Sequence, residues 1–416
     1  MGELLNFFIE IGKLKRMPRR GWVINQIKNP ESIAEHAFRA AIMGWILGEK
    51  KAGLNIERVL KMALIRDFCK IYAGDITPYD SVLPKTKKEL RELMKTWPPR
   101  ISSSKKREIA RKKYKKEAKA LKKIIFKLPL NLKKEIKNLW IDYEKGFTPE
   151  GKFFRQADRM ENFLQAYEYW EKYKSPPLGP WWAWAREFFD DPLLLDFMKR
   201  LDKRFHPEKN QERDALMDFF IEVGKLKGKK RRGWLVHQIK DPETTAEHIF
   251  RMAIIAWVLG ERKRLRLERV IKMALIHDLC EVYAPDLTPY DPLLPKDQNK
   301  IMEVLKRWPK FTPSLKVQSY KKKYKLENLA LNKLVSKLAS NIKSEIRNLW
   351  LDYEKGLTRE GRFVHQVDKV ENLLQGLEYW KKYGKIQYKL WMRWIKEILD
   401  DPVLLEFFRT LEKKFC

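Results

Sequence analysis

Residues 268–278 read Glu-Arg-Val-Ile-Lys-Met-Ala-Leu-Ile-His-Asp, and residues 57–67 read Glu-Arg-Val-Leu-Lys-Met-Ala-Leu-Ile-Arg-Asp. Nearly the same spacing, 210 to 212 residues, recurs elsewhere in the chain. Further matched pairs are Phe-Phe-Ile-Glu at 7–10 and 219–222, Arg-Gly-Trp at 20–22 and 232–234, Ala-Glu-His at 34–36 and 246–248, and Asn-Leu-Trp at 138–140 and 348–350. Similarity at one long offset indicates a tandem duplication rather than a short-period solenoid.

Each copy is predicted to be helical. Apolar residues recur with a period near 3.6 in 37–47 and 249–259, directly after segments rich in capping residues that end at Ser32 and Thr244. Second helices are predicted from about Ile56 to Ala73 and from about Leu267 to Ala284. No stretch alternates with the period of a strand, so we predict an all-α fold made of two tandem copies of a helical domain.

The boundary between the copies is polar. Residues 207–212 read Pro-Glu-Lys-Asn-Gln-Glu, a composition typical of a linker. We therefore predict one domain at 1–206, a linker at 207–212 and a second domain at 213–416. Prolines after the second helices predict loops; they are Pro78, Pro84, Pro289, Pro292 and Pro295.

The chain is strongly basic, with 88 Lys and Arg against 55 Asp and Glu in 416 residues, a net charge of +33. Such a charge attracts polyanions without choosing among them. The basic segments 101–124 and 319–325 are expected to be solvated helix faces rather than a nucleic-acid site, because aromatic interleaving is thin (Tyr114). No apolar run approaches the roughly 20 residues that span a bilayer. Three cysteines make no disulfide framework, so we expect a soluble cytoplasmic protein without a membrane partner.

The six histidines are more informative than the charge, since four of them lie in the second copy. His277 and Asp278 are adjacent, and Glu281 at i+4 is predicted to share a helix face with His277. His248 comes from the preceding helix and Asp368 from a later one. Two imidazoles and two carboxylates suit a divalent transition metal with open positions, which would activate a water near neutral pH. Glu281 is placed to move protons.

These residues carry a resemblance to a known family. The ligand order His248, His277-Asp278, Asp368 resembles that of HD-domain phosphohydrolases. With Arg-Arg-Gly-Trp at 231–234, Asp-Leu-Thr at 286–288 and Leu-Trp-Leu-Asp-Tyr-Glu at 349–354, the chain is similar to the 5'-deoxynucleotidase branch. The similarity extends over most of each copy.

The resemblance implies a metal-dependent phosphatase acting on deoxynucleoside 5'-monophosphates, with one cobalt, manganese or zinc ion in the second copy. It implies that His248, His277, Asp278 and Asp368 bind the metal. It implies that Glu281 positions or activates the attacking water and that Asp286 assists beside the substrate. It also places Arg232 on the phosphate and Trp234 at the pocket mouth, with a solvated surface position as the alternative for Arg232 and a core position as the alternative for Trp234. His365 and His237 are expected outside the ligand set.

Two other classes of function stay open at this point. One is an HD phosphohydrolase for nucleoside triphosphates, a cyclic dinucleotide or an alarmone. The other is a nucleic-acid-binding protein built on a degenerate HD scaffold, whose main activity would survive the loss of His277.

The first copy lacks part of this constellation. It keeps His36, Asp67 and Asp158, but Arg66 stands at the His277 position and Lys70 at the Glu281 position. An arginine offers no lone pair to a metal. We therefore predict a degenerate domain that binds no metal, in which the two cations neutralise the remaining carboxylates. Because the family often forms homodimers, an intramolecular pseudo-dimer is expected, and an anion held by Arg66, Lys70 and Arg20 is the alternative role for this copy.

Overall fold

The chain forms two compact units in the structure, a computed structural model. One unit consists of Asn6–Met217, and the other of Asp218–Cys416 together with Met1–Leu5. The structure describes all residues except 78, 81–82, 85, 96–101, 177, 206–213, 288–290, 292–293, 298–299, 302, 305–311 and 416. The linker predicted at 207–212, three of the loop prolines (Pro78, Pro289, Pro292) and Thr288 lie outside the described residues.

Regular structure in the described part of the first copy is helical. Its helices are α1 (Gly2–Gly12), α2 (Arg20–Ile24), α3 (Ile33–Gly48), α4 (Ile56–Ile65), α5 (Lys70–Ala73), α6 (Lys87–Lys95), α7 (Ser103–Ile124), α8 (Leu130–Lys145), α9 (Pro149–Tyr173), α10 (Leu178–Phe188) and α11 (Pro192–Phe205).

The second copy repeats this order. Its helices are α12 (Ala215–Gly224), α13 (Arg232–Val236), α14 (Thr245–Glu261), α15 (Leu267–Ile276), α16 (Pro313–Val335), α17 (Ser340–Lys355), α18 (Arg359–Tyr383), α19 (Tyr388–Ile398) and α20 (Pro402–Phe415). The described residues contain no strand, only the isolated bridges Pro18–Ser32 and Lys230–Thr244. The all-α prediction is confirmed. No helix in the described part of the chain is both long and apolar enough to cross a membrane.

The central helix of each copy begins where its sequence predicts. Ser32 and Thr244 are N-caps, and each forms a capping box with the glutamate three residues later, Glu35 or Glu247. The side-chain oxygen of the cap and the glutamate carboxylate each accept a bond from a backbone N–H that the helix itself leaves unsatisfied. This reciprocal pair fixes the first turn, which carries His36 or His248.

The central helix is buried on every side. From Thr245 to Gly260, each residue of α14 is buried, because α15 and α18 pack against it. A helix enclosed in this way can place polar side chains only where other buried groups pair with them. His248 and Arg251 face such partners on α18, and they lie in the middle of the copy.

The structure corrects the predicted length of the second helix. Helix α15 ends at Ile276 and a short 3-10 turn follows over Leu279–Val282, rather than one helix reaching Ala284. The imidazole Nδ1 of His277 lies 2.8 Å from the carbonyl of Ala274, one of the carbonyls that a helix end leaves free. In the first copy α4 likewise ends at Ile65, and Ala73 belongs to the separate helix α5.

A close approach at the start of α18 has a testable consequence. A Cβ at Gly361 would lie 2.2 Å from Asp352 Oδ1 and 2.6 Å from the Asp352 carbonyl oxygen. We expect Gly361→Ala to lower the free energy of unfolding by about 1–3 kcal/mol, since the backbone has to shift. Gly228→Ala is the control, because nothing lies within 4 Å of a Cβ there. Denaturant melts of both variants check this; equal stability of the two would contradict it.

Candidate metal centre

Two backbone hydrogen bonds connect the segment Lys229–Arg231 to the residues at the start of α14. The N–H of Arg231 donates to the carbonyl of Glu243 at 3.1 Å, and the N–H of Thr245 donates to the carbonyl of Lys229 at 2.9 Å. The pairing holds the Lys229–Arg231 segment directly over the helix N-terminus. The same two bonds hold Met17 and Arg19 in the first copy.

His248 is held by buried charged groups. Its Nδ1 hydrogen bonds to a carboxylate oxygen of Glu371, whose other oxygen accepts from Nε of Arg251 at 2.7 Å. All three side chains are fully buried. Burial opposes a charge on the imidazole, but Glu371 and Asp368 outweigh it and raise the pKa of His248 to about 9. A carboxylate behind an imidazole fixes its orientation and increases its basicity at Nε2.

Like His248, His277 is held through its Nδ1 atom, in this case by the end of α15. Its Nδ1 bonds to the Ala274 carbonyl at 2.8 Å, so Nδ1 carries the proton and Nε2 is left as the acceptor. Nε2 lies 3.1 Å from Asp278 Oδ2 and 4.0 Å from Asp368 Oδ1. Because α15 ends at Ile276, the carbonyl of Ala274 is free to orient the His277 imidazole.

Three side chains converge on one buried point. Ligand atoms of His248, His277 and Asp368 all lie within 4.8 Å of one another. Nε2 of each histidine is buried and makes no well-formed hydrogen bond, although Asp368 Oδ1 lies 3.2 Å from Nε2 of His248. Buried polar atoms are normally paired. Two imidazole lone pairs and a carboxylate facing one another fit a divalent transition metal.

Asp278 stands at the edge of this group and pairs with an arginine. Nη1 of Arg231 lies 2.7 Å from Asp278 Oδ2, and Nη2 donates to Asn372 at 3.0 Å. Asp278 is one of the predicted ligands, and its Oδ2 is the oxygen that also faces His277. Sequence reasoning missed Arg231. The phosphate was assigned to its neighbour Arg232 instead, and because the first copy keeps both arginines as Arg19 and Arg20, the sequence held no signal that separates the two.

The remaining ligand candidate, Asp368, is fixed on both oxygens. Oδ2 accepts from the Tyr353 hydroxyl at 3.1 Å and lies 2.8 Å from Nζ of Lys369. Oδ1, the oxygen that faces the histidines, accepts from Asn372 at 2.8 Å. Both carboxylate oxygens are thus held by hydrogen bonds, and the carboxylate cannot rotate without breaking them.

The two predicted catalytic carboxylates lie beside the group. Glu281 accepts a bond from the Thr245 hydroxyl at 2.9 Å and lies 4.0 Å from Nη1 of Arg231. Burial, and then the neighbouring Asp286 and Asp278, hold the pKa of Glu281 well above its usual range. Such a carboxyl group keeps a proton that it can donate.

Two predicted substrate-binding residues lie elsewhere. Trp234 is in the core, 3% exposed, with its ring against Tyr379 and Trp391 and its Nε1 donating to Glu243 at 2.9 Å. The expected position at the pocket mouth is therefore corrected to the core alternative. The Arg232 guanidinium pairs with Asp291 instead of turning toward the histidines, while its backbone N–H donates to Asp286 at 2.8 Å.

The two other histidines of this copy lie outside the converging group. The His365 ring packs on Tyr353 with 5.1 Å between centroids, and burial lowers its pKa to about 4. His237 is 6% exposed, and burial lowers its pKa to about 4 as well. Both are neutral near pH 7, as buried imidazoles without an acidic partner should be.

The equivalent place in the first copy is filled by cations. Arg66 Nη2 lies 2.8 Å from Asp158 and Nη1 lies 2.8 Å from Asp67. Lys70 Nζ lies 2.9 Å from Asp67 Oδ1. His36 Nε2 faces Asp158 at 2.9 Å, while its Nδ1 bonds to Glu161. The first copy keeps the histidine and its supporting carboxylate, but Arg66 and Lys70 occupy the place of the second copy's His277 and Glu281.

Each copy contains one further cluster of acidic groups around its histidine. Glu31, His36 and Glu161 form it in the first copy, and Glu243, His248 and Glu371 form it in the second. It lies on the Nδ1 side of the ring, where Arg39 or Arg251 already binds the carboxylate. This cluster orients the imidazole in both copies.

The model of a family described as "HD domain" matches residues 11–179 and 223–400. The chain belongs to the HD domain family. The match covers both copies, so the predicted duplication and the family resemblance are confirmed. Divalent-metal dependence is a property of HD domains, and the two-histidine, one-aspartate group described above is a candidate site for it.

Several characterised relatives share this family. "5'-deoxynucleotidase HDDC2" of Xenopus laevis is 36% identical over 174 residues, covering 42% of this chain and 73% of that protein. The human protein of the same name is 31% identical over 201 residues, covering 48% and 85%. "5'-deoxynucleotidase hdd1" of Schizosaccharomyces pombe is 32% identical over 200 residues, covering 47% and 87%. Each match spans about half of this chain and most of the relative.

The carboxylate that binds Nδ1 of the central histidine, here called the histidine anchor, gives one prediction for each copy. Glu371→Gln is expected to weaken metal binding about 10–100-fold, because the imidazole of His248 loses the carboxylate that orients it. Glu161→Gln removes the equivalent carboxylate in the first copy and should leave metal affinity unchanged. Isothermal titration with Mn²⁺ or Co²⁺ measures both. An equal loss in the two variants would show that the anchor does not act through His248.

Proposed function

We propose that the second copy is a metal-dependent 5'-deoxynucleotidase that removes the phosphate from deoxynucleoside 5'-monophosphates. The observation that carries this proposal is the convergence of His248, His277 and Asp368, with both Nε2 atoms buried and without a well-formed hydrogen bond. The relatives named 5'-deoxynucleotidase support the substrate class.

In this proposal His248, His277, Asp278 and Asp368 hold one cobalt, manganese or zinc ion. When bound, such an ion lowers the pKa of a coordinated water and polarises a phosphoryl oxygen. Glu371 keeps the proton of His248 on Nδ1, and the Ala274 carbonyl does the same for His277. The Nε2 atom of each ring thus faces the centre, and a metal bound there would displace the Nε2 proton that His248 holds while its pKa is about 9.

Glu281 handles the proton. Its buried carboxyl lies among Asp278, Asp286 and Arg231, where burial and like charges favour the protonated form. In that form it is placed to donate its proton to the leaving 5'-oxygen, and the carboxylate so formed would take up a proton from the next water molecule. Thr245 fixes one of its oxygens, and Asp286, bonded to the N–H of Arg232, supports the same segment.

The cation that we assign to the phosphate is Arg231. It is 13% exposed at the side chain, and its guanidinium already lies beside Asp278 and Glu281. A guanidinium binds phosphate oxygens in a bidentate manner. Arg232, the residue first expected in this role, points to Asp291, so it acts on the phosphate only through the backbone segment that it shares with Arg231.

Two further parts of the proposal concern the setting of the enzyme. We place it in the cytoplasm, and we propose that the two copies pair as an intramolecular pseudo-dimer.

A substrate panel tests the reaction. With Co²⁺, Mn²⁺ or Zn²⁺ we expect phosphate release from deoxynucleoside monophosphates, and none after EDTA. The ribonucleoside monophosphates, deoxynucleoside triphosphates and single-stranded oligonucleotides in the same panel separate this activity from the other classes. Hydrolysis confined to triphosphates, or none with any metal, would contradict the proposal.

A variant pair ties the activity to the site. His277→Ala should reduce phosphate release to background, because a ligand is lost from the centre. His237→Asn is the matched control, since Asn25 occupies that position in the first copy, and it should keep activity within about twofold. Initial rates on one deoxynucleoside monophosphate measure both. Retained activity in His277→Ala would instead favour a function that does not use this centre.

A further inference from the structure

Three charge-changing substitutions, together with Ile33 in place of Thr245, separate the centre of the first copy from that of the second. Arg66 replaces His277, Lys70 replaces Glu281, and Met17 replaces Lys229. Met17 and Lys229 are equivalent because the carbonyl of each accepts the same bond from the first residue of the central helix. Two neighbouring cations keep their charge in both copies: Arg19 matches Arg231, and Arg159 matches Lys369.

These substitutions change the charge in a specific way. In formal charge, with glutamate counted as ionised and histidine as neutral, histidine to arginine adds one positive charge, glutamate to lysine adds two, and lysine to methionine removes one. The first copy therefore carries two more positive charges around its centre than the second. That surplus equals the charge of one divalent cation.

The geometry puts the added charge where a cation would act. Arg66 bridges Asp67 and Asp158, the counterparts of Asp278 and Asp368, at 2.8 Å from each. Lys70 bridges Asp67 and Asp75 at 2.9 and 2.7 Å. Arg66 and Lys70 are only 3% and 6% exposed. Buried carboxylates need a counter-charge within reach, and here it is covalently part of the chain.

The donor set does not fit a metal. Arg66 has no lone pair to offer, and its guanidinium lies between the two aspartates that would otherwise share an ion with His36. Removing it would take away the charge that bridges the two buried carboxylates and leave Asp67 with Lys70 and Asp158 with His36. An added anion is also disfavoured, because Arg66 and Lys70 each bridge two aspartates, whereas Arg231 pairs at 2.7 Å with Asp278 alone.

We propose that Arg66 and Lys70 are a built-in replacement for a divalent cation, so that the first copy binds no metal and keeps the charge balance of a loaded centre permanently. The inference rests on the metal site proposed for the second copy, but it concerns metal content and stability. A chain with one bound ion and no nucleotidase activity would overturn the proposed function and leave this inference standing.

Metal counting on the full chain is the first test. After loading with Co²⁺ and removal of free ion, wild type should contain one ion per chain and His277→Ala none. R66H/K70E, with M17K added to supply the counterpart of Lys229, should contain two. R107H/K112E makes the same exchanges on the exposed part of α7 and should stay at one. Two ions in wild type, or one in a folded R66H/K70E/M17K, would overturn the proposal.

The reciprocal variant decides the matter even if the gain-of-site variant does not fold. H277R/E281K/K229M should contain no metal, and its Tm should not change on adding EDTA, whereas EDTA should lower that of wild type. It should also melt above H277A/E281A/K229M, which lacks both metal and replacement cations. If the arginine and lysine variant is no more stable than the alanine variant, the cations do not replace the ion.

Discussion

A carboxylate in the middle of each copy is shared between an imidazole and a guanidinium, and the rest of the centre depends on it. In the second copy Glu371 binds both His248 and Arg251, and these side chains have no exposure. The carboxylate comes from α18 and the two cationic side chains from α14, so one buried interaction sets the register of two helices. It also determines which ring nitrogen of the histidine faces the centre.

The same anchor is present in the first copy, through Glu161, His36 and Arg39. What differs is the other side of the imidazole. There the buried aspartates must be balanced, and the two copies solve this differently. One provides a second imidazole and a glutamate, an arrangement suited to an ion; the other provides Arg66 and Lys70, which pair with the aspartates directly. A buried charge needs a partner, and either solution supplies one.

Much of this was predictable from sequence because the signals are local. Capping residues at Ser32 and Thr244 predict where the central helices start, and both capping boxes are present. The amphipathic pattern of 149–173 and 358–383 predicts a helix over each segment, and α9 and α18 occupy Pro149–Tyr173 and Arg359–Tyr383. The all-α class follows from the same periodicity, and the duplication follows from the repeated motifs.

The parts that sequence missed depend on partners distant in the chain. Arg231 and Arg232 are adjacent and chemically identical, but Arg231 is the extended residue before α13, so the two side chains point in different directions. Trp234 is in the core because Tyr379 and Trp391 come from helices far along the chain. The apolar pattern of α15 continues past Ile276, so the sequence does not indicate where the helix ends. In the structure it ends at Ile276, and His277 Nδ1 bonds to the Ala274 carbonyl.

An anomalous difference map from crystals of the full chain grown with Co²⁺ or Mn²⁺ would test the central claim most directly. We predict one strong peak per chain, bounded by His248, His277 and Asp368, and no peak among His36, Arg66 and Asp158. A peak between His36 and Asp158, or no peak beside His248, would contradict it.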